Sequence, residues 1–298
     1  MSRVPILNIL CGIPGSGKST YAKSLEADGY AVLSSDKLRK ELYGDENDQT
    51  HNEEVFNTLY NYAKIILENG GSVVIDATNI SMKSRRKALS QFSNISCIKV
   101  CTVICTPLPQ IFINDNNRER RVGADVVNKY LQAFEIPIRE EGFDYIQFYY
   151  PFEDCLVDID GLLYTTLNYN QNNHHHTNTL GEHCIRACNL YISENSNYDK
   201  DMADALLYHD IGKVVTRSED ENGESHYYEH HNAGAYLCVC SKQFRDGRLS
   251  EKSVFLINHH MRPYFWKEQK THLKYEKLFG TELYSRLINM NYYDREAH

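Results

Sequence analysis

The chain of 298 residues is long enough for two domains, each with a core of its own. A hydrophobic fraction of 42% and a charged fraction of 24% are ordinary for a soluble globular protein. Thirty-two basic against forty acidic residues leave a net charge of −8, which argues against holding long nucleic acid by general backbone attraction. It leaves room for action on a nucleic-acid end, where only a few phosphates need partners.

In chain order, the apolar run at the start is far too short for a membrane span and lacks the layout of a signal peptide, so Ile6 to Cys11 reads as a buried strand. Helix is expected over Lys18 to Ala27 and Glu53 to Asn69. Strands are expected at Tyr30 to Ser34, Gly71 to Asp76 and Ile98 to Cys105. Strand and helix alternating in this way predict an α/β fold, a parallel sheet flanked by helices. After Cys155 the pattern changes, and residues 156–173 read as a polar linker between a domain over 1–155 and one over 174–298. In the latter, helices are expected at Gly181 to Ser193, Lys200 to Tyr208, Asn232 to Cys240, Ser250 to His259 and Gly280 to Asn289, an all-α arrangement. Nine scattered cysteines, an odd number with no CxxC pair, predict buried free thiols in a reducing, cytoplasmic setting.

Gly12-Ile-Pro-Gly15-Ser16-Gly17-Lys18-Ser19-Thr20 fits GxxxxGK[ST], with a strand before it and a helix after it. Glycines let backbone N–H groups turn towards phosphate oxygens, and the following helix points its positive end at the same place. Lys18 is expected to reach the β- and γ-phosphates of ATP, and Ser19 to ligate Mg2+. Ser34-Ser-Asp36-Lys-Leu-Arg39 follows the second strand. Asp36 is placed to take a proton from an attacking hydroxyl, and Arg39, one turn on, to clamp a phosphate of the acceptor. The alternative is that Ser35 or Asp36 merely caps a helix starting at Lys37. Asp76 ends the third strand, where a carboxylate either holds Mg2+ through water or closes a turn. Arg118-Glu-Arg120-Arg121 lies between two expected helices, as a lid closing over ATP or as a solvated charge run.

GIPGSGKST, SSDKLR, IDATN and NNRERRVGADVVNKYLQAFEIPIREEGFDYI together resemble the 5′-hydroxyl polynucleotide kinases, over roughly residues 5–150. The resemblance implies Asp36 as general base, Arg39 on the acceptor's phosphate and Asp76 near metal and acceptor. In the lid, Arg118 takes the place of the family's arginine, with Arg120 left open as the contact to ATP. Asp115 stands for the usual asparagine and Asn114 for a frequent arginine. Phe134 to Pro137 and Glu141 to Asp144 resemble the family's structural ending.

Of thirteen histidines, only His51 precedes residue 174. His209-Asp210 follows an apolar helix, and His183, His230, His260 and Asp294 are further candidate ligands. Nitrogen and carboxylate donors in this mixture suit divalent transition metals such as Mn2+, Ni2+, Co2+ or Zn2+, and two such ions can activate water against phosphorus. The ordered set His183, His209-Asp210, His230, His260, Asp294 resembles the HD phosphohydrolase superfamily over roughly residues 174–298. The resemblance implies His183, His209, Asp210 and Asp294 as the core metal site, His230 and His260 as ligands of a second ion, and Lys213 on substrate phosphate. His231 competes with His230, which is preferred because Gly234 lies four residues on. His259 competes with His260, which is preferred for the Met-Arg-Pro after it. His174 to His176 either bind substrate phosphate or belong to the linker, and His226 and His272 read as solvated.

Taken together, the resemblances imply a bifunctional enzyme that heals nucleic-acid ends, RNA before DNA, with an RNA ligase as functional partner and no membrane. A nucleoside or small-molecule kinase joined to a nucleotide phosphohydrolase is the second reading, and a non-catalytic nucleotide sensor the third.

Overall fold

A computed structural model describes residues 4–172 and 178–297. It divides into two compact units, one of Met1–Val127 with Pro137–Pro151 and one of Asn128–Ile136 with Phe152–His298.

In the first unit, β1 (Ile6–Cys11), β2 (Ala31–Ser34), β3 (Val73–Asp76), β4 (Ile98–Ile104) and β5 (Tyr145–Tyr149) form one parallel sheet in the order β2-β3-β1-β4-β5. Helices α1 (Lys18–Ala27), α2 (Ser35–Tyr43), α3 (Asn52–Glu68), α4 (Met82–Ser90) and α5 (Leu108–Asn116) make the connections. Leu7, Ile9, Leu10, Val73, Val74 and Ile75 are fully buried, as continuous apolar strands covered on both faces must be. The chain leaves β1 towards β2 and β3, then returns past β1 to β4, so the strand order reverses beside β1. In such a sheet ligands bind outside the carboxyl ends at the reversal. The pairing Ser34↔Asp76 puts the ends of β2 and β3 level, and the loop after β1 rises next to them. The four sequence-predicted strands all form, the first with its expected bounds and the other three shorter by a residue or two. β5 has no counterpart in the sequence reading, because its side chains alternate between exposed and half-buried at the sheet edge.

Helix α6 (Ala124–Leu131) begins in the first unit and ends in the second. The second unit continues with α7 (Ile159–Thr166), α8 (Leu180–Glu194), α9 (Lys200–Tyr208), α10 (Lys213–Thr216), α11 (His230–Val239), α12 (Lys242–Arg245), α13 (Glu251–His259), α14 (Gln269–Phe279) and α15 (Thr281–Glu296). α9 packs on α8 and α13, and α11 packs on α13. Two departures from the sequence reading stand out. Residues 156–173 are not a bare linker: Asp158 caps α7 by accepting from Gly161 N, and Ile159 and Thr166 are buried. The unit is also not purely helical, since β6 (Ser218–Glu219) and β7 (Ser225–His226) pair antiparallel. None of the nine cysteines forms a disulfide, and seven are buried. Among the described residues no helix is long and apolar enough to cross a membrane.

Candidate functional site

The loop after β1 is shaped by its own sequence. Gly17 sits at φ 94, a left-handed conformation that glycine adopts freely, and from there α1 starts at Lys18. Gly12 N donates to Thr78 O at 3.1 Å, Thr106 Oγ1 to Ser16 O at 2.7 Å and Asn114 Nδ2 to Gly15 O at 2.8 Å, so neighbouring loops brace the turn. Ser16 Oγ is buried without a hydrogen-bond partner among the described residues, the kind of orphan that a phosphate oxygen satisfies. Lys18 Nζ donates to Gly12 O at 2.8 Å and Ile13 O at 3.1 Å, lying over the loop. Desolvation pulls its pKa down to about 8, against the opposing pull of Asp76. Ser19 Oγ donates to Asp76 Oδ2 at 2.8 Å, which joins the two residues read as metal-binding. Thr20 follows on the exposed first turn of α1.

At the start of α2, the capping alternative is resolved by Ser34. Its Oγ accepts from Lys37 N, α2 starts at Ser35, and the Asp36 carboxylate is free for other partners. Asp36 pairs with Arg39, whose guanidinium is buried and also held by Asn52 Oδ1, at 2.9 Å from Nη2 and 3.3 Å from Nε. Arg120 lies 3.8 Å from Asp36 Oδ2 and 3.3 Å from Glu46. Arg118 lies 3.8 Å from Asp115, and its charge is among those that depress Lys18. Asp115 closes the loop after α5, accepting at 3.0 Å from both Val122 N and Gly123 N. Both arginines therefore face groups of the phosphate-loop site, Arg118 on the Lys18 side and Arg120 on the Asp36 side.

The contacts that brace this site carried no signal in the sequence spacing. Arg85 and Glu141 are both fully buried and pair through two bonds, Nε to Oε2 at 2.8 Å and Nη2 to Oε1 at 2.7 Å. Arg85 also donates to Asn79 O at 3.2 Å and Ile80 O at 3.1 Å, fixing the turn after β3. Asn79, at φ 40, donates to Leu10 O at 2.9 Å and ties that turn to β1. Partners separated by 56 residues leave no local pattern.

In the second unit a capping box of Thr179 and Glu182 starts α8 and puts His183 in its first turn. His209 and Asp210 end α9, Lys213 opens α10, His230 opens α11, His260 follows α13, and Asp294 lies on α15. All seven are buried. His183 Nε2 is 3.1 Å from His209 Nε2 and 3.0 Å from Asp294 Oδ1. His230 Nε2 is 3.0 Å, and His260 Nε2 3.7 Å, from Asp210 Oδ1. The donor atoms of His183, His209 and Asp294 lie within 4.8 Å of one another, and so do those of His209, Asp210 and His260. His209, His230 and His260 each use Nδ1 on the carbonyl three residues earlier, Leu206 O, Tyr227 O and Ile257 O, at 2.8, 2.9 and 2.8 Å. A carbonyl only accepts, so these Nδ1 atoms carry hydrogen and the rings turn Nε2 inward. Three such nitrogens and two carboxylates aimed into one small volume need positive charge among them, and a divalent cation fits that donor set.

Lys213 Nζ supplies part of that charge, 2.7 Å from Asp210 Oδ2 and 2.8 Å from Gln171 Oε1. Burial pushes the Asp210 carboxyl up, but Lys213 and His209 outweigh it and hold it well below the usual carboxylate range. Tyr264 OH donates to Asp294 Oδ2 at 3.0 Å, a second contact that spacing did not reveal. A Cβ on Gly212 would stand 2.0 Å from His230 O and 2.4 Å from Gly234 N. The two glycines let the turn after His209-Asp210 press against α11, and so bring Asp210 to His230.

The histidine doublets separate. His259 stacks on Phe279 and accepts from Arg262 Nε at 2.8 Å, a packing role. His231 lies 3.4 Å from Glu229, and burial with the neighbouring His260 and His230 lowers its pKa to about 2. His272 is half-buried: it lies 2.7 Å from Tyr284 OH and packs edge-on against Trp266. His226 lies 3.5 Å from Asp220. His174, His175 and His176 fall outside the described residues.

Comparison with known proteins bears on the first unit. A family model described as an AAA domain matches residues 7–137. No curated protein matches. Among solved structures, a chain of the Pnkp1/Rnl/Hen1 RNA repair complex is similar at 22% identity over 44% of this chain and 44% of that one, with a TM-score of 0.39. A putative kinase from Chloroflexus aurantiacus is similar at 17% identity over 54% and 95%, with a TM-score of 0.42. Kti12 from Chaetomium thermophilum, in complex with ADP-AlF3, is similar at 16% identity over 50% and 91%, with a TM-score of 0.41. The chain spans about half the length of the RNA repair complex chains, 44% and 50%. Residues 7–137 thus match an AAA domain model, and the braced glycine loop, Lys18 and the Ser19–Asp76 pair at the carboxyl edge of a five-stranded parallel sheet have the layout of a P-loop fold.

Proposed function

We propose that the chain repairs broken nucleic-acid ends, RNA before DNA, with two phosphoryl chemistries at separate sites. In the first unit the γ-phosphate of ATP passes to a 5′-hydroxyl. The hydroxyl oxygen forms the new bond to phosphorus, its proton goes to Asp36, and ADP leaves. Lys18 and the loop amides hold the β- and γ-phosphates, with Arg118 or Arg120 closing over them. Ser19 and Asp76 are the residues to hold Mg2+, which neutralises charge on the phosphates when bound. The observation that carries the reading is the Asp36–Arg39 pair. An acid beside the γ-phosphate position and a buried guanidinium anchored by Asn52 suit an acceptor with a hydroxyl to deprotonate and a phosphate to grip.

In the second unit, 2′,3′-cyclic phosphate or 3′-phosphate ends are hydrolysed. His183, His209, Asp210 and Asp294 are the residues to hold one divalent ion, and His230 and His260 extend the set to a second. Bound there, such ions supply an acidified water and a counter-charge for phosphorus. The Lys213 ammonium beside Asp210 supports a part for it in gripping a phosphate oxygen. The products, a 5′-phosphate and a free 3′ end, are what an RNA ligase joins, and a ligase is the expected functional partner.

The test is incubation of the full chain with RNA bearing a 5′-hydroxyl and a 2′,3′-cyclic phosphate, with and without ATP and Mn2+, followed by analysis of both ends. ATP-dependent 5′ phosphate and ATP-independent loss of the cyclic phosphate are expected; an unchanged 5′ end sinks the kinase reading. The net charge of −8 favours the second reading, a mononucleotide substrate for both units. Competition between a 5′-hydroxyl oligonucleotide and a free nucleoside separates the two.

A further inference from the structure

Lys213 and Arg217 stand one helical turn apart, at the first residue of α10 and at its C-cap. Each cation lies over an aromatic ring. Lys213 Nζ is 5.6 Å from the centre of Tyr227, and Arg217 Cζ is 5.7 Å from the centre of Tyr169. The two rings are 6.5 Å apart, so the four side chains form a continuous row. Gln171 fixes the inner end, because its backbone oxygen accepts from Tyr227 OH at 2.6 Å and its Oε1 from Lys213. The row begins at the buried Asp210–Lys213 pair and ends at Arg217, whose side chain keeps 34% of its exposure. Its ionic partner there is Glu219, 2.8 Å away with a side chain 55% exposed. Exposed pairs of that kind are weak and exchange readily for a better anion.

We propose that Arg217 is a second phosphate subsite, which binds the internucleotide phosphodiester immediately before the phosphorylated end held at Lys213. This rests on the reading of the second unit as a hydrolase of nucleic-acid ends and narrows its substrate to an oligonucleotide. Lys213 and Arg217 spring from neighbouring turns with Cβ atoms about 5–6 Å apart, so one strand lying along the row can meet both side chains. Guanidinium matches phosphate with paired donors, and the flanking Tyr169 and Tyr227 offer rings beside a strand whose bases stack without regard to sequence. On a chain of net charge −8, general attraction does not hold a strand, and a single placed cation has a measurable effect.

The experiment uses the full chain with Mn2+, and two substrates with the same terminal nucleoside: a 2′,3′-cyclic mononucleotide and a trinucleotide ending in the same cyclic phosphate. Wild type is expected to favour the trinucleotide. Arg217→Ala is expected to lose about tenfold in kcat/KM on the trinucleotide, mostly through KM, with the mononucleotide unchanged. For the trinucleotide, the slope of log kcat/KM against log salt concentration falls by about 0.7, the value of one contact to a single strand. Arg217→Lys restores most of that slope. Equal loss on both substrates, or no loss on the trinucleotide, overturns the subsite and leaves the hydrolase reading standing. A wild type that cleaves neither substrate overturns both.

Discussion

His230 and His260 face each other Nε2 to Nε2 at 3.3 Å, and each gives its Nδ1 proton to the carbonyl three residues before it. Two imidazoles so tethered turn Nε2 against Nε2, an arrangement that a bound cation relieves. Metal is therefore expected to stabilise the second unit. At one hundred times the dissociation constant, Mn2+ contributes about 2.7 kcal/mol, seen as a higher Tm in a calorimetric scan of the full chain. His230→Ala is expected to reduce the shift. A Tm indifferent to both Mn2+ and chelator argues against a metal centre.

Asp36→Ala is expected to lower 5′ phosphorylation by about 10²–10⁴-fold, the range of a lost general base, while hydrolysis of a cyclic phosphate continues. Asp210→Ala is expected to do the reverse. Each activity is measured on both variants, and a single substitution that abolished both would refute separate sites.

Lys18 has a folded-state pKa of about 8, against an ordinary 10.5. Phosphate needs the ammonium form. ATP affinity of the free protein is therefore flat below pH 8 and falls by about tenfold per pH unit above it. The stability effect has the opposite sense. Between pH 8 and 10.5 the unfolded chain holds more protons at this site than the folded one, so the Lys18 contribution to stability rises with pH across that window. Calorimetric titration of ATP from pH 7 to 9.5 checks the first, and constant affinity over that range refutes it.

Arg85→Ala strands the carboxylate of Glu141 in a fully buried setting and is expected to cost about 3–5 kcal/mol in the first unit. The urea midpoint of ATP-protected unfolding reads it. Glu141→Gln keeps a hydrogen-bonding partner for Arg85 and is expected to cost less. If Arg85→Ala left the midpoint unchanged, the pair would not be what secures the turn at Asn79.

Much of the first unit was legible because its signals are local. An apolar strand, a glycine loop and a lysine announce themselves within twenty residues, and Asp36 and Arg39 follow one strand later. The cluster of histidines and acids was picked out residue by residue, because twelve of the thirteen histidines lie after residue 173. Helix α14 was not: a segment as charged and polar as Gln269-Lys-Thr-His-Leu-Lys-Tyr-Glu-Lys277 carries little apolar periodicity, and it is held by the contacts of Tyr275 and Phe279. Nor was the support of either site. Arg85 with Glu141, Asn52 with Arg39 and Tyr264 with Asp294 are pairs created by folding, with nothing in the spacing to announce them.

The path of residues 128–136 has a consequence for how such a chain can be rearranged. This stretch lies in sequence between two pieces of the first unit but packs with the second: Phe134 meets Tyr236 edge-on at 5.2 Å, Ile136 N donates to Asn258 Oδ1 at 2.7 Å, and Asn232 Nδ2 donates to Gln132 O at 2.6 Å. A gene cut near residue 151 would give no pair of interchangeable cassettes. The upstream fragment would present Phe134 and Ile136 to water, and the downstream one would have a vacant slot beside Asn258. Any exchange of partners by recombination must carry those nine residues together with the downstream half, so the two units are expected to have been inherited as a matched set.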